Sequence, residues 1–288
     1  MLTLGFPQIV RVAFALSGGG NLGPMQAGAI LALFEAGIEP DLLVGSSVGA
    51  LNAAFLATRP GVTGGRALVA AWSALRRREA VQLNPALALA GFLGLTDHLV
   101  SSGQLRRLIR RWVEVERIED TAVSLAVTAT DALTGEVVLL TSGKVVDCLA
   151  ASAAIPGLFP PVRQGDRWLI DGSLAASIPA FEALALGGEE VYVIPTATAP
   201  RPRPPRGAVA MAMNSVSLVT SRLADARMAA ALHRAGGNGR RVLVVPTAAP
   251  VAPGPFDYRR GAELAEAGYR RAAEWLAAGA PAIGDPPR

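Results

Sequence analysis

Residues 12–23, VAFALSGGGNLG, decide the fold class of this chain. The apolar run Val12 to Leu16 is short and ends in glycines, which is typical of a buried strand in a parallel sheet. Pro24 then stands where the first turn of a helix tolerates proline, and Gly37 supplies a stop signal after the apolar residues between them. The segment predicts a strand, a tight turn and a helix in succession.

The pattern of a strand followed by a helix returns further along the chain. Leu42 to Val44 predicts a second strand, residues 45–49 a turn, and Ala50 to Ala57 a second helix. Later patterns predict a hairpin of 123–130 and 136–140 around Thr134-Gly135, strands at 168–170, 191–194 and 242–245, and helices at 179–186, 209–235 and 261–278. Strands that alternate with helices predict a layered α/β sheet, whose ligands gather at the C-terminal ends of the strands.

The composition predicts one large core. The chain has 288 residues, of which 51% are hydrophobic and 17% charged, so we expect a single domain over 1–288. The Pro/Arg-rich residues 195–207 are expected to form an exposed loop within that domain, and residues 280–288 a flexible tail. The single cysteine, Cys148, lies in an apolar stretch, which predicts a small buried side chain and fits a cytoplasmic location. No apolar run reaches the roughly 18–20 residues that span a bilayer.

The net charge of +4 rests almost wholly on arginine. The favoured interpretation of the arginine clusters is that they form solvated surface faces. Because guanidinium groups bind phosphate well, peripheral contact with an anionic membrane is an open alternative. No nucleic-acid partner is expected. The apolar residues Pro85 to Leu95 are too few to span a membrane. Core packing is favoured for them, with an interface or an acyl-chain pocket as the alternative.

The turn between the second strand and its helix carries the pattern Gly45-x-Ser47-x-Gly49. In the nucleophile elbow, glycines at these positions permit a strained turn that projects a serine hydroxyl. By itself the motif is loose, and a small-residue turn that caps a helix fits it equally well. Ser47 is therefore a candidate nucleophile whose role depends on other residues.

The glycine-rich turn after the first strand is the second candidate site. The amides of Gly18, Gly19 and Gly20, with Gly23 close behind them at a helix N-terminus, can converge on one negative charge, as an oxyanion hole requires. A dinucleotide-binding turn has the same glycine spacing. Asp41 argues against it, because the ribose-binding acid should end the second strand rather than begin it.

A carboxylate is available to activate Ser47. Asp171-Gly172 closes a predicted strand, so the side chain of Asp171 is expected at the same sheet edge as Ser47, although an Asp-Gly turn alone would explain the pair. The chain has two histidines, His98 and His233. The order Ser47, Asp171, His233 matches an α/β-hydrolase triad, but His233 falls inside a predicted helix. No cluster has metal-ligand spacing, so neither metal nor cofactor is expected.

Four segments together resemble patatin-like phospholipases: SGGG at 17–20, GSSVGALNAA at 45–54, ASAAIPGLFPP at 151–161 and Asp171-Gly172. The resemblance covers about residues 12–180. It implies a three-layer α/β/α sandwich with a mostly parallel central sheet. It also implies that Ser47 is the nucleophile, Asp171 the general base in a Ser-Asp dyad, and Gly18 to Gly20 the oxyanion-hole loop of an enzyme that cleaves lipid acyl esters.

Two residues depart from the family pattern. Leu22 stands where the glycine loop commonly carries a basic residue, which leaves the preference for phospholipids over neutral esters open. Ser173 follows Asp171-Gly172 where glycine or alanine is usual. The alternatives to a lipid acyl hydrolase are a catalytically silent lipid-binding or membrane-surface protein and a general carboxylesterase for small esters.

Overall fold

The computed structural model describes residues 10–76, 79, 84, 86, 90, 93, 95–196, 207–247 and 257–281. Its strands are β1 (Val12–Leu16), β2 (Leu42–Ser46), β3 (Ser124–Asp131), β4 (Val137–Leu140), β5 (Val162–Gln164), β6 (Arg167–Asp171), β7 (Glu190–Ile194) and β8 (Arg241–Val244). Its α-helices are α1 (Gly23–Glu35), α2 (Val48–Thr58), α3 (Gly61–Ala74), α4 (Gly103–Trp112), α5 (Val145–Ser152), α6 (Ser173–Ala176), α7 (Ala180–Ala185), α8 (Ala208–Gly236) and α9 (Gly261–Ala277). Short 3-10 turns lie at Gly20–Leu22 and Ile118–Asp120.

Five parallel strands in the order β3, β2, β1, β7, β8 form the centre of one sheet. Their C-terminal ends make one edge, called here the carboxyl edge. The hairpin strand β4 lies antiparallel to β3, and β6, with β5 beside it, also pairs antiparallel with β3. The sheet is mixed but mostly parallel, as predicted.

Helices cover both faces of this sheet. Alternate strand residues, such as Phe14 and Leu43, join a core on the face covered by α1, α2, α3 and α9. Their neighbours, such as Ala13 and Leu42, join a second core under α7 and α8. Burial of both faces explains why these strands are apolar throughout rather than alternating. The predicted three-layer α/β/α fold is confirmed.

Strand β6 takes up the position that β2 leaves free. Ser46, the last residue of β2, is paired with Thr128 of β3, and the next β3 residue, Ala129, is paired with Asp171. Since β4 occupies the other side of β3 at the same level, β6 must continue along the side where β2 ends. It enters from beyond the carboxyl edge and stops one residue past Ser46.

The predicted strands and helices are confirmed within a few residues at each end, whereas four helices and one strand were not predicted. These are α3, α4, α5, α6 and β5. In α3, glycine weakens the local helix signal, yet Gly64 lies where a Cβ would come within 1.6 Å of the Arg59 carbonyl oxygen. Tertiary packing therefore selects a poor helix former at this position.

Some predictions fall partly or wholly on residues outside the described part of the chain. These are the loop at 195–207, of which residues 197–206 are not described, most of Pro85 to Leu95, and the tail from 282 onward. Leu93 and Leu95 are described and exposed. Cys148 is buried in α5, as predicted. Among the helices of the described residues, none is both long and apolar enough to cross a membrane.

Candidate active site

Ser47 sits in a strained turn between β2 and α2. Its backbone angles are φ 53° and ψ −120°, and only one other non-glycine residue of the described chain, Ala280, has a positive φ. A Cβ on Gly45 would come within 2.5 Å of the Ala50 Cα, and one on Gly49 within 2.3 Å of the Leu16 carbonyl oxygen. The two motif glycines thus let the turn close against β1 and the first turn of α2.

The Ser47 hydroxyl donates a 2.7 Å hydrogen bond to Oδ2 of Asp171. The other carboxylate oxygen, Oδ1, accepts hydrogen bonds from the Ser173 backbone N–H at 2.8 Å and the Ser173 hydroxyl at 2.5 Å. Asp171 is only 2% exposed. The structure therefore brings together the two residues that the sequence singled out, and Ser173 completes the hydrogen bonding of the carboxylate.

Burial raises the pKa of Asp171 above the ordinary aspartate value, and the hydrogen bonds from Ser173 and Ser47 lower it by less. None of the ion pairs found in the described ranges includes Asp171. A carboxylate that is buried without a cationic partner is a stronger base than an exposed one. This position suits a group that must take a proton from a hydroxyl.

The segment after α5 holds the serine and the aspartate in place. Ser152 accepts a 2.9 Å hydrogen bond from the Ser47 backbone N–H through its Oγ, and its carbonyl accepts the Gly172 N–H at 3.1 Å. The Ala154 carbonyl accepts the Asp171 N–H at 2.9 Å. The stretch that carried much of the family resemblance thus binds the backbones of both the elbow and the Asp-Gly turn.

The glycine-rich turn lies directly beside Ser47. A Cβ on Gly18 would approach the Ser47 Cβ at 3.3 Å and the Ser173 Cβ at 2.7 Å. The Gly18 N–H already donates to the Ser177 carbonyl at 3.0 Å, so it is not available to a substrate oxyanion. The Gly19 and Gly20 N–H groups have no partner in the part of the chain that the structure describes. Of the three amides predicted to form an oxyanion hole, these two therefore have a free N–H.

Buried side chains support the glycine turn from within the fold. Gln26 Nε2 donates to the carbonyls of Ser17 and Ile194, at 2.9 and 2.8 Å. Asn52 Nδ2 donates to Gln26 Oε1 at 3.0 Å, and the Trp72 Nε1–H donates to Asn52 Oδ1 at 2.7 Å. Because every member is buried and hydrogen-bonded, this network fixes the end of β1 from which the turn starts.

The other candidates from the sequence do not join this site. His233 is exposed near the end of α8, whereas the hydroxyl of Ser47 is already bonded to Asp171. His98 is hydrogen-bonded to Asp97 at 2.6 Å. Asp41 accepts the backbone N–H groups of Arg11 and Val12, so it ties β1 to β2. No group of three or more His, Cys, Asp or Glu side chains in the described ranges is arranged to hold a metal ion.

Three residues of the site were not assigned roles from the sequence. Ser152 lies inside the ASAAIP segment that carried part of the family resemblance, and this was the one sequence signal for it. Residue type alone does not show that its hydroxyl oxygen accepts a backbone N–H. Ser173 was noted only as a departure from the family pattern. Val48 provides the first amide of α2, beside the nucleophile, and that N–H has no hydrogen-bond partner among the described residues. In a nucleophile elbow, the amide at this position can face the oxygen of a substrate carbonyl.

Several known proteins are similar to this chain. The family model described as patatin-like phospholipase matches residues 14–184. The uncharacterized NTE family protein Rv2565 of Mycobacterium tuberculosis is 31% identical over 175 residues, which are 59% of this chain and 27% of that protein. Lysophospholipase NTE1 of Mycosarcoma maydis is 26% identical over 188 residues, 64% of this chain and 10% of that protein. The chain thus spans about a quarter or less of the length of these relatives.

Among solved structures, VipD from Legionella pneumophila aligns with a TM-score of 0.49 at 17% identity. The alignment covers 93% of this chain and 67% of that one.

Proposed function

Because this chain belongs to the patatin-like phospholipase family, we propose that it is a serine lipid acyl hydrolase that works through a Ser47–Asp171 dyad. The observation that carries the proposal is the 2.7 Å hydrogen bond from the Ser47 hydroxyl to the buried, raised-pKa carboxylate of Asp171. A nucleophile and a base within hydrogen-bond reach, with the base oriented by a third group, form the general signature of covalent catalysis. Here Ser173 is the third group.

Acylation begins as Ser47 Oγ attacks the carbonyl carbon of an ester and its proton passes to Oδ2 of Asp171. The carbonyl π electrons move to the oxygen, which becomes a tetrahedral oxyanion. The unpaired N–H groups of Gly19 and Gly20, in the turn whose Gly18 lies beside Ser47, are the proposed donors to that oxygen, and each such donor contributes about 3 kcal/mol to transition-state stabilisation. When the oxyanion collapses, the bond to the leaving alkoxide breaks, and the alkoxide takes the proton from Asp171.

Deacylation repeats the same transfers with water. Asp171 takes a proton from a water molecule as its oxygen attacks the acyl-Ser47 carbonyl, and the collapse of the second oxyanion breaks the bond to Oγ. The proton returns to Ser47, and the carboxylic acid leaves. One carboxylate is enough because it alternates between base and acid. Its raised pKa makes the protonated form easier to reach at neutral pH than it is for an ordinary aspartate.

The proposed substrates are acyl esters of lipids, in line with the family. Leu22 puts no positive charge in the glycine turn, so the proposal extends to neutral lipid esters as well as phospholipids. The dyad needs neither a metal ion nor a cofactor. Peripheral contact with a membrane is part of the proposal, since the substrate resides there, and the cytoplasmic location stays a prediction.

Hydrolysis of a medium-chain p-nitrophenyl ester tests this assignment directly. Wild type, Ser47→Ala, Asp171→Asn and His233→Ala are compared, with thermal unfolding to verify that each is folded. We expect loss of turnover in the first two variants and wild-type turnover in His233→Ala. Equal loss in all three folded variants would replace the dyad with a triad. A folded wild type that cleaves neither this ester nor phospholipid or monoacylglycerol esters would favour a catalytically silent lipid-binding protein.

A further inference from the structure

Helix α8 is far longer than the strands it lies against. Its 29 residues rise about 43 Å, whereas the five residues of β7 span about 17 Å. The helix follows β7, which ends at the carboxyl edge with Ile194 beside Leu16. It ends before β8, whose first residue, Arg241, pairs with Glu190 at the opposite edge. The N-terminal half of α8 must therefore extend past the sheet at the end where Ser47 lies.

The buried side chains of α8 that the structure describes all lie in its C-terminal half. Ala224, Ala231 and Ala235 are buried there, and Arg227 forms an ion pair with the buried Glu182 of α7. Residues 211–223, called here the arm, differ. Among the arm side chains that the structure describes, Asn214 and Thr220 are half-buried and the rest are exposed.

The arm has the inverse of the usual amphipathic pattern. At about 100° per residue, Asn214, Ser217 and Thr220 lie on the side of buried Ala224, toward the protein. Large apolar side chains occupy the other side, among them Leu218 and Val219, which are 61% and 68% exposed. The exposed large apolar side chains of the arm are Met211, Val216, Leu218, Val219 and Leu223, and Ser215 and Arg222 share their side of the helix. A surface helix normally turns its apolar stripe to the core, so packing among the described residues does not explain this outward stripe.

Two more exposed apolar side chains lie at the same end of the molecule. Leu133 is 80% and Trp168 44% exposed, and the Ala132 N–H bonds to the Trp168 carbonyl. Because Thr128 of β3 is level with the end of β2, this pair lies roughly 13 Å beyond the carboxyl edge. Arg163 lies over the Trp168 ring, 5.8 Å from its centroid. Tryptophan beside arginine is typical of a membrane–water interface.

We infer that the arm, with Leu133 and Trp168, seats the carboxyl edge on a lipid surface, so that lipid esters reach Ser47 directly from the membrane. The inference rests on the proposed function. Residues 208–221 carry no charge, while Arg206 precedes the helix in the sequence and Arg222 follows the uncharged stretch. The stripe is thus uncharged as far as Ser221 and has basic residues near both of its ends, which complements acyl chains under anionic headgroups. A second copy of the chain fits less well, because a stable dimer uses about 20–30 residues on each side.

Sedimentation with vesicles tests the arm without involving turnover. The vesicles contain equal parts of ether-linked phosphatidylcholine and phosphatidylglycerol, which lack the cleavable ester. We expect Leu218→Glu/Val219→Glu to lower vesicle partitioning by about tenfold or more, since the charges face the acyl chains. Ser217→Glu/Ser221→Glu is the matched control, because it adds the same two charges at exposed positions on the side of the helix that carries Ala224, and it should partition like wild type.

Two results would overturn the inference. One is equal sedimentation of the Leu218→Glu/Val219→Glu variant and wild type. The other is a wild-type dimer that this variant dissociates while wild type stays in the supernatant, which would assign the face to a second copy. Turnover of soluble p-nitrophenyl butyrate is measured in parallel and should be equal in wild type and both arm variants. Failure of the proposed function would instead appear as a wild type with no esterase activity that still binds vesicles.

Discussion

The backbone N–H of Ser47 donates a 2.9 Å hydrogen bond to the hydroxyl oxygen of Ser152, 105 residues later in the chain. Ser152 is fully buried, and its own carbonyl accepts the Gly172 N–H. One residue thus binds the backbone of the strained elbow and the backbone next to Asp171. The strained φ of Ser47 persists because surrounding contacts of this kind hold it.

Ser152→Ala should destabilise the protein and slow the reaction. A buried N–H that loses its acceptor costs about 1–3 kcal/mol of unfolding free energy, and a less firmly held elbow should lower kcat by about tenfold. Urea unfolding and turnover of a soluble ester measure the two effects. Ser221→Ala, at an exposed position of α8, is the control. Unchanged unfolding and unchanged kcat in Ser152→Ala would show that the elbow does not need this bond.

Asp171→Asn should raise the melting temperature at neutral pH while abolishing turnover. Burial raises the pKa of Asp171, so its contribution to stability is present below the unfolded-state pKa and is lost as pH rises through the folded-state value. The uncharged amide avoids that loss. The gain should therefore shrink as pH falls toward 4, about where an unfolded aspartate titrates. The exposed Asp166→Asn should show no comparable gain, and a lower melting temperature for Asp171→Asn at pH 7 would contradict the assignment.

The acid limb of kcat/KM should lie above the range of an ordinary aspartate. Activity requires ionised Asp171, whose pKa burial raises and the Ser173 hydroxyl lowers. Ser173→Ala removes that donor, so the limb should move to higher pH, whereas Ser173→Thr keeps the hydroxyl and should leave it near the wild-type position. The measurement is the pH profile of kcat/KM on a soluble ester. Identical limbs for the alanine and threonine variants would mean that Ser173 does not tune the base.

Arg227→Met should cost about 3 kcal/mol of unfolding free energy at neutral pH, because it leaves the Glu182 carboxylate buried without its partner. Burial raises the pKa of Glu182, and Arg227 lowers it. Without Arg227 the pKa rises further, so the penalty should diminish as pH falls and Glu182 takes up a proton. Arg222→Met is the control, since its pair with Asp225 is exposed and should be worth less than about 1 kcal/mol. Urea unfolding at several pH values measures this penalty. A penalty that does not change with pH would contradict this account.

The sequence by itself determined the elements whose signals are local. The run Val12 to Leu16 is apolar at every position and followed by glycines, which predicted the strand covered on both sides that the structure contains. The elbow glycines and the Asp-Gly turn are also local signals. They mark backbone conformations and close approaches that glycine permits and larger residues do not. Ser47 and Asp171 were candidates for this reason, and their predicted roles came from the resemblance of four segments to patatin-like phospholipases.

Only the tertiary structure decided how those residues meet. The sequence suggested that Asp171 emerges at the carboxyl edge as the end of its strand, but β6 runs antiparallel and reaches Ser47 from beyond that edge. Strand direction depends on pairing with β3, and pairing is a long-range choice that no local pattern encodes. The same holds for Gly18, whose N–H is taken by Ser177, and for the outward apolar stripe of α8, which is visible only once the side that faces the protein is known.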